Sequence, residues 1–360
     1  MSIVSKVRRK AMRYSNRFFG ADQASISRLE TLMASPPPGA VAANAWNGEF
    51  AQLINETVLD RMTKEDLAYV LAGLVSYRKT GITPQSTQGA LVRAYETTSG
   101  LFQEILHKAL FDNMRIAAPT TSRLFGEIST FDIERIARDM NTDGYTVLPW
   151  KIPAAMVAAA NEEAKSFHYR LKGGEQSGKQ LSGIEPASPP KCVSAYSDSP
   201  LTPTLQSIVD DELLNFVASN HLGTSAKSID STFWYTFPNP VASSEAAQLF
   251  HYDLDTIRWV KAFVYLSDVG EGNGPHEYVS GTHLAGNKVS KVLLGKEYAR
   301  ISDAEIDQYY PGCRKRISGP AGTVLIGDTR CFHKGNSVRN GHRLVFSPIY
   351  APSRIGYFHG

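Results

Sequence analysis

The sequence predicts an α+β protein in which a helical N-terminal part precedes a domain rich in antiparallel sheet. Two observations predict this order. Helical periodicity dominates the first third of the chain, whereas short β-branched or aromatic segments separated by turn clusters follow residue 230. Closely spaced short strands of this kind are typical of a sandwich or a barrel.

The composition is that of an ordinary soluble globular protein. The 360 residues are 42% hydrophobic and 20% charged, which allows one large domain or a domain with an extension. A net charge of +3 is too small to indicate nucleic acid, so no nucleic-acid partner is expected. Cys192, Cys313 and Cys331 form no CxxC pair, which favours a reducing, cytoplasmic location.

The first helical element predicted is a basic amphipathic helix over residues 1–20, with no acid before Asp22. It reads either as a solvated helix or frayed tail, or as a membrane-surface or targeting segment. Its apolar stripe consists of Ile3, Val7, Ala11, Tyr14 and Phe18. No apolar run approaches the ~20 residues of a membrane span, so no transmembrane segment is expected.

Two further helices are predicted in the first third. Thr63 can cap the amphipathic segment TKEDLAYVLAGLVSYRK, and a second such segment covers 98–111. The polar, proline-containing stretch 118–123 then indicates a boundary. We therefore expect residues 1–128 to form a helical N-terminal extension of unknown role, which could act as a lid, a dimerisation element or a docking module.

Residues 129–360 are predicted to form the second domain. A short helix and a turn at Asp143-Gly144 lead into the strand YTVLPW. The segments STFWYTF, WVKAFVYL, GTVLIG and RLVFSPIY then read as strands. The segment GGEQSGKQ, 173–180, has the spacing of a phosphate-binding loop, but it ends in Gln180 and runs into a proline-rich stretch that cannot continue a helix. We interpret 172–200 as a mobile loop that could cover a site.

The segment LFHYDLD, 249–255, places His251, Asp253 and Asp255 on one face if it is a strand. An isolated H-x-D pair is common and is usually a surface hydrogen bond. Downstream, however, His333 follows another glycine-bounded strand. Two histidines and one carboxylate are the ligand set of a facial Fe(II) site, which leaves three positions open, whereas a structural zinc site is closed by a fourth ligand.

Arg343 opens a strand ten residues after His333. An arginine at a strand start is usually a surface residue, but this one shares its face with Val345, Ser347 and Ile349. A guanidinium can bind a carboxylate in a bidentate manner, through two parallel hydrogen bonds. It could therefore fix the far end of a dicarboxylic 2-oxo acid that chelates the metal and leaves one position for dioxygen.

The runs FHYDLD, WVKAFVYLSDVGEGNGPHEYVSGTH and GTVLIGDTRCFHKGNSVRNGHR together resemble the phytanoyl-CoA dioxygenase family of Fe(II)/2-oxoglutarate-dependent oxygenases. The likeness covers roughly 131–360 and does not explain residues 1–128. The turn SGTH departs from the family pattern, where a proline and a serine are usual.

The resemblance implies a double-stranded β-helix, or jelly roll, with flanking helices. It places His251, Asp253 and His333 on Fe(II) and Arg343 on the C5 carboxylate of 2-oxoglutarate. The implied enzyme is an oxidoreductase, a dioxygenase that consumes O2, releases succinate and CO2, and usually hydroxylates a substrate C–H bond. Related halogenating enzymes lack the metal carboxylate, so Asp253 disfavours halogenation.

Three more residues receive provisional roles. Lys261 interrupts the apolar strand WVKAFVYL, so it either lies on an exposed face or points inward; an inward ammonium needs 2-oxoglutarate, the substrate or Asp255 as its anionic partner. Gln248 is a weaker candidate for hydrogen bonding to the cosubstrate. Asp255 is expected to support the metal site, contact the substrate or pair with Lys261.

The remaining expectations concern the other histidines and the substrate. His283 is expected to cap a turn or support a ligand, and His276 and His342 are expected at the surface. The polar composition of 172–200 favours a small polar metabolite as substrate. Two alternatives stay open, namely a metal-binding, non-oxidising jelly-roll scaffold and a metal-dependent isomerase or hydrolase, and the oligomeric state is left open.

Overall fold

A computed structural model describes residues 62–111, 114–239, 247–285 and 300–357. The predicted basic helix over residues 1–20, whether a solvated tail or a membrane-surface or targeting segment, lies outside the described residues. Among the helices that are described, none combines the length and the apolar character that a membrane crossing requires.

Three helices begin the described chain: α1 (Lys64–Thr80), α2 (Gln85–Thr98) and α3 (Leu101–Leu110). Thr63 caps α1 as predicted, because its hydroxyl accepts a 3.1 Å hydrogen bond from the Asp66 amide. The helix predicted over 98–111 is present as α3, and α2 was not predicted. The three helices share an apolar cluster with Ile257 and Ile355, so they pack on the C-terminal part of the chain. The boundary at residue 128 stays a prediction.

Five α-helices lie in the rest of the described chain, with one 3-10 turn at Glu271–Asn273. They are α4 (Thr130–Thr142), α5 (Ala154–Ala164), α6 (Pro203–Val209), α7 (Glu212–Leu222) and α8 (Asp303–Tyr309). Helices α4 to α7 share the largest apolar cluster with side chains of the main sheet such as Val264 and Phe346. This cluster covers one face of that sheet.

The strands form a large and a small antiparallel sheet and one short hairpin. Their bounds are β1 (Thr121–Ser122), β2 (Gly126–Glu127), β3 (Tyr145–Lys151), β4 (His168–Lys172), β5 (Gln180–Ser182), β6 (Ser194–Ser197), β7 (Lys227–Thr236), β8 (Val260–Tyr265), β9 (His276–Val279), β10 (Arg314–Ile317), β11 (Thr323–Gly327), β12 (His333–Gly335) and β13 (Arg343–Ala351). The predicted strands correspond to β3, β7, β8, β11 and β13.

The large sheet has the order β3-β11-β8-β13-β7-β6-β4-β5, and the small sheet has the order β10-β9-β12. Alternation along β8 directs Val264 toward the helices, whereas Phe263 and Tyr265 share a second cluster with Tyr278 and Ile317 of the small sheet. The small sheet therefore covers the other face of the large one. This arrangement is compatible with the predicted jelly roll.

The segment 172–200 differs in part from the predicted mobile loop. The glycine-rich stretch is a turn between β4 and β5, with Gly173 and Gly178 at positive φ, and no helix follows it. Strand β6 then pairs with both β4 and β7, which makes it part of the large sheet. The interpretation as a loop was wrong for β5 and β6, because backbone pairing of short polar segments leaves little signal in their composition.

Candidate active site

Backbone pairing brings the two predicted histidine ligands together. The His251 amide donates to the His333 carbonyl at 3.0 Å, and the His333 amide donates to the His251 carbonyl at 2.8 Å. The imidazole centroids are consequently 4.3 Å apart. The segment after His251 is irregular and does not form the expected strand. Asp253 is held instead by its amide, which donates to the Thr329 carbonyl at 2.8 Å.

His251, Asp253 and His333 each offer one ligand atom, and these atoms lie within 4.8 Å of one another. Asp253 Oδ1 is 3.7 Å from His251 Nε2, and Asp253 Oδ2 is 3.6 Å from His333 Nε2. Both imidazoles are buried, and the Asp253 side chain is 9% exposed. The three groups thus form a compact donor set that can hold one metal ion.

Hydrogen bonds fix the tautomer of both imidazoles. His251 Nδ1 lies 2.9 Å from the Leu249 carbonyl, and His333 Nδ1 lies 2.9 Å from the Cys331 carbonyl. A carbonyl oxygen only accepts, so each Nδ1 carries the proton and each Nε2 keeps its lone pair. Burial lowers the pKa of His251, and it lowers the pKa of His333 to about 3. Both rings are therefore neutral, the form that binds metals.

Lys261 points inward and contacts two acids. Its Nζ is 2.7 Å from Asp253 Oδ2 and 2.7 Å from Asp255 Oδ2. Burial alone would raise the pKa of Asp253, but Lys261 and the two imidazoles lower it below its ordinary value. Burial would lower the pKa of Lys261, but the two carboxylates raise it. The pairing of Asp255 with Lys261, one of the predicted alternatives, is present.

The triad, Lys261 and Arg343 line one cavity of about 180 Å³. Arg343 is 2% exposed. Its Nη1 donates to the Gly274 carbonyl, and its Nη2 donates to Thr236 Oγ1 at 3.3 Å. Its Nε is buried without a hydrogen-bond partner among the described residues.

Space for this guanidinium depends on Gly335, where a Cβ would lie 2.7 Å from Arg343 Nη2. Within the described part of the chain Arg343 forms no ion pair with a carboxylate, and burial lowers its pKa. A buried cation is costly unless an anion neutralises it. The geometry therefore fits an anionic ligand that enters the same cavity as the triad.

His276 also lines this cavity, and the expectation that it lies at the surface was wrong. It begins β9, whose alternation directs both His276 and Tyr278 inward. The Tyr265 hydroxyl donates its one proton to the Ile317 carbonyl at 2.8 Å. His276 Nδ1 lies 3.0 Å from the same hydroxyl oxygen, so in this second hydrogen bond Nδ1 must be the donor. The proton of His276 is thereby on Nδ1. The sequence signal that could have revealed this was the alternation in HEYV, which places His276 on the same strand face as Tyr278.

The other provisional residues lie near the cavity or behind it. Gln248 is buried and accepts a 3.2 Å hydrogen bond from Ser337, but it is not among the residues that line the cavity. His283 is 3% exposed, and neither ring nitrogen has a hydrogen-bond partner among the described residues. His342 is half-buried, with its ring 5.6 Å from the ring of Tyr235.

No family model and no curated protein matches this chain. Among solved structures, it is similar to the non-heme alpha ketoglutarate dependent epimerase SnoN from nogalamycin biosynthesis, with 19% identity, a TM-score of 0.47, and coverage of 62% of this chain and 84% of that chain. It is similar to AviO1 from Streptomyces viridochromogenes Tue57, with 16% identity, a TM-score of 0.42, and coverage of 62% and 96%. It is also similar to EctD from S. alaskensis with bound Fe, with 19% identity, a TM-score of 0.42, and coverage of 66% and 83%.

Proposed function

We propose that this protein is an Fe(II)- and 2-oxoglutarate-dependent dioxygenase that oxidises a C–H bond of a small polar metabolite. One observation carries the proposal. Two neutral imidazoles and a carboxylate converge in a cavity that also holds Arg343, a buried cation for which no acid is provided by the described residues.

The donor set suits Fe(II). Two histidine nitrogens and one carboxylate oxygen are the ligands of non-haem Fe(II) oxygenases, and three protein ligands leave positions for small molecules. The carbonyls of Leu249 and Cys331 orient the two imidazoles, which favours metal binding at Nε2. Lys261 holds one oxygen of Asp253 at 2.7 Å and so limits rotation of that carboxylate.

The cavity also suits a dicarboxylate cosubstrate. Arg343 would bind the far carboxylate of 2-oxoglutarate through charge-assisted hydrogen bonds. When bound, Fe(II) with 2-oxoglutarate and O2 supplies the oxidising chemistry, with succinate and CO2 as products. Lys261 is already paired with Asp253 and Asp255, so we assign it to the metal carboxylate in preference to the cosubstrate.

The lining of the cavity suits a polar substrate. The hydroxyls of Thr232 and Ser347 line the cavity beside Trp234 and Phe263. These side chains offer hydrogen bonds and a ring face to a small polar molecule.

The test is an anaerobic titration with Fe(II) and 2-oxoglutarate. We expect a weak visible charge-transfer band in the wild type and none in His333→Ala, because the variant lacks one ligand. His168→Ala is the matched control, since His168 is exposed in β4. A band of equal strength in His333→Ala would refute the assignment.

Turnover distinguishes the dioxygenase from a non-oxidising metal protein. Addition of O2 to the loaded wild type should release succinate even without substrate, through uncoupled turnover. A band without succinate would favour the scaffold, and a screen of small polar metabolites for stimulated succinate release then identifies the substrate.

A further inference from the structure

We propose that helices α2 and α3 position the metal ligands, which makes the N-terminal helices a working part of the site. The inference rests on the proposed metal site. Their contacts reach both ligand-bearing segments, residues 251–259 and 328–333.

The first contact is made by α2 on Tyr252, which stands between the ligands His251 and Asp253. The Tyr252 hydroxyl donates to Glu96 Oε1 at 3.1 Å, and its ring stacks on Tyr95 with centroids 5.5 Å apart. The segment after His251 has no regular strand pairing of its own. Contacts from outside the segment must therefore restrict its conformation.

The second contact is made by α3 on Arg330, three residues before His333. Arg330 Nη1 is 2.6 Å from Glu104 Oε1, and its Nη2 is 2.6 Å from Asp328 Oδ2. Arg330 is 1% exposed. A fully buried guanidinium held by two carboxylates has little rotational freedom, so it fixes the backbone that leads to His333.

Glu104 joins the two segments. Its second oxygen, Oε2, is 3.4 Å from Nη1 of Arg258, which lies near the end of the first ligand segment. Burial would raise the pKa of Glu104, but Arg330 and Arg258 lower it to about 2, so it is ionised. One carboxylate of α3 thus contacts one arginine in each ligand segment.

Further bonds link the segments directly and carry this positioning to the ligands. Trp259 Nε1 donates to Thr329 Oγ1 at 2.8 Å, and the Asp253 amide donates to the Thr329 carbonyl at 2.8 Å. A shift of the 328–330 backbone would therefore move Asp253 as well as His333.

The test is a Co(II) titration of the full chain, followed through the visible d–d bands. Tyr252→Phe keeps the ring stack and removes the bond to Glu96, and Glu104→Gln removes the charge between the two arginines. We expect each to raise the Kd for Co(II) about tenfold, as changes behind metal ligands do, and to shift the band positions.

Two controls in α1 isolate positioning from general stability, because α1 packs with α2 and α3 but makes neither of these two contacts. Tyr69→Phe removes an equivalent hydroxyl bond, 3.1 Å to Glu65, and Asp66→Asn removes the charge paired with Arg93 at 2.7 Å. Neither pair touches a ligand segment, so the Kd and the bands should match the wild type, with circular dichroism confirming that each variant is folded.

The outcomes separate the two proposals. A wild type that binds no Co(II) overturns both of them. Binding by the wild type with unchanged Kd and bands in Tyr252→Phe and Glu104→Gln overturns the positioning role alone. If Glu104→Gln unfolds, Tyr252→Phe decides, and combining it with Glu96→Ala should add no further loss, because both changes break one bond.

Discussion

Substitution of Arg343 by methionine separates ligand binding from stability. Methionine keeps much of the side-chain length and removes the charge. The change deletes the hydrogen bonds to Gly274 and Thr236 but also removes a buried Nε that has no partner among the described residues. Each of these hydrogen bonds from a charged group contributes about 1.5–3 kcal/mol, whereas the unpaired donor costs about 1–3 kcal/mol and burial of the charge costs several kcal/mol more. The opposing effects should leave the unfolding free energy of the ligand-free protein within ~2 kcal/mol of the wild type.

The effect on 2-oxoglutarate should be much larger. Loss of two charge-assisted hydrogen bonds at about 1.5–3 kcal/mol each weakens binding by roughly 3–6 kcal/mol, or at least a hundredfold. At a ligand concentration of ~100 Kd the wild type gains about 2.7 kcal/mol of stability. The same concentration should stabilise Arg343→Met by at most about 0.4 kcal/mol, since it then lies at or below the variant's Kd.

The assay is denaturant unfolding of the Ni(II)-loaded protein with and without 2-oxoglutarate. Arg339→Met is the matched control, because Arg339 lies on the neighbouring loop and its guanidinium is exposed at a 3.4 Å contact with the Glu271 carbonyl. If Arg343→Met retained the full stabilisation by 2-oxoglutarate, the carboxylate site would have to be placed elsewhere.

Three further predictions concern the same cavity. Asp253→Ala should lose Co(II) binding while Asp255→Ala retains it, and the opposite pattern in a Co(II) titration would make Asp255 the ligand. Gly335→Ala should weaken 2-oxoglutarate binding about tenfold, the equivalent of ~1.4 kcal/mol, because the new Cβ would lie 2.7 Å from the Arg343 guanidinium; unchanged binding in the unfolding assay would contradict this. Burial lowers the pKa of His333 to about 3, whereas in the unfolded chain this histidine is protonated below its ordinary pKa of about 6.5. In the metal-free protein His333 alone should therefore reduce the free energy of unfolding by about 1.4 kcal/mol per pH unit as the pH falls from 6.5 toward 3. His333→Asn should reduce that slope in urea unfolding at pH 7 and 5, and an equal slope in both proteins would refute the assignment.

Much of the fold follows from local patterns in the chain. The β-branched and aromatic runs that predicted strands became β7, β8, β11 and β13, and Thr63 caps α1 as its position before an acidic turn indicated. Helix α2 escaped prediction because it has a proline at its N-cap and no side-chain capping bond.

The sequence predicted those parts of the site in which the residue type alone indicates the function, namely metal binding or carboxylate binding. His251, Asp253, His333 and Arg343 line one cavity, although their functional roles stay proposals. The regular strand expected at 249–255 is absent. The Asp255 side chain is therefore oriented by its ion pair with Lys261 and not by strand alternation.

The sequence by itself determined which residue types could bind a metal and a carboxylate, together with the periodicities that place them on strands. Only the tertiary structure decided that Lys261 bridges Asp253 and Asp255, that His276 lines the cavity, and that Glu104 reaches Arg330 across 226 residues of chain. Ion pairs and cavities depend on distances of a few ångström between segments remote in sequence. Local periodicity reports which way a side chain faces, but the partner it meets there is set by the packing of the whole chain.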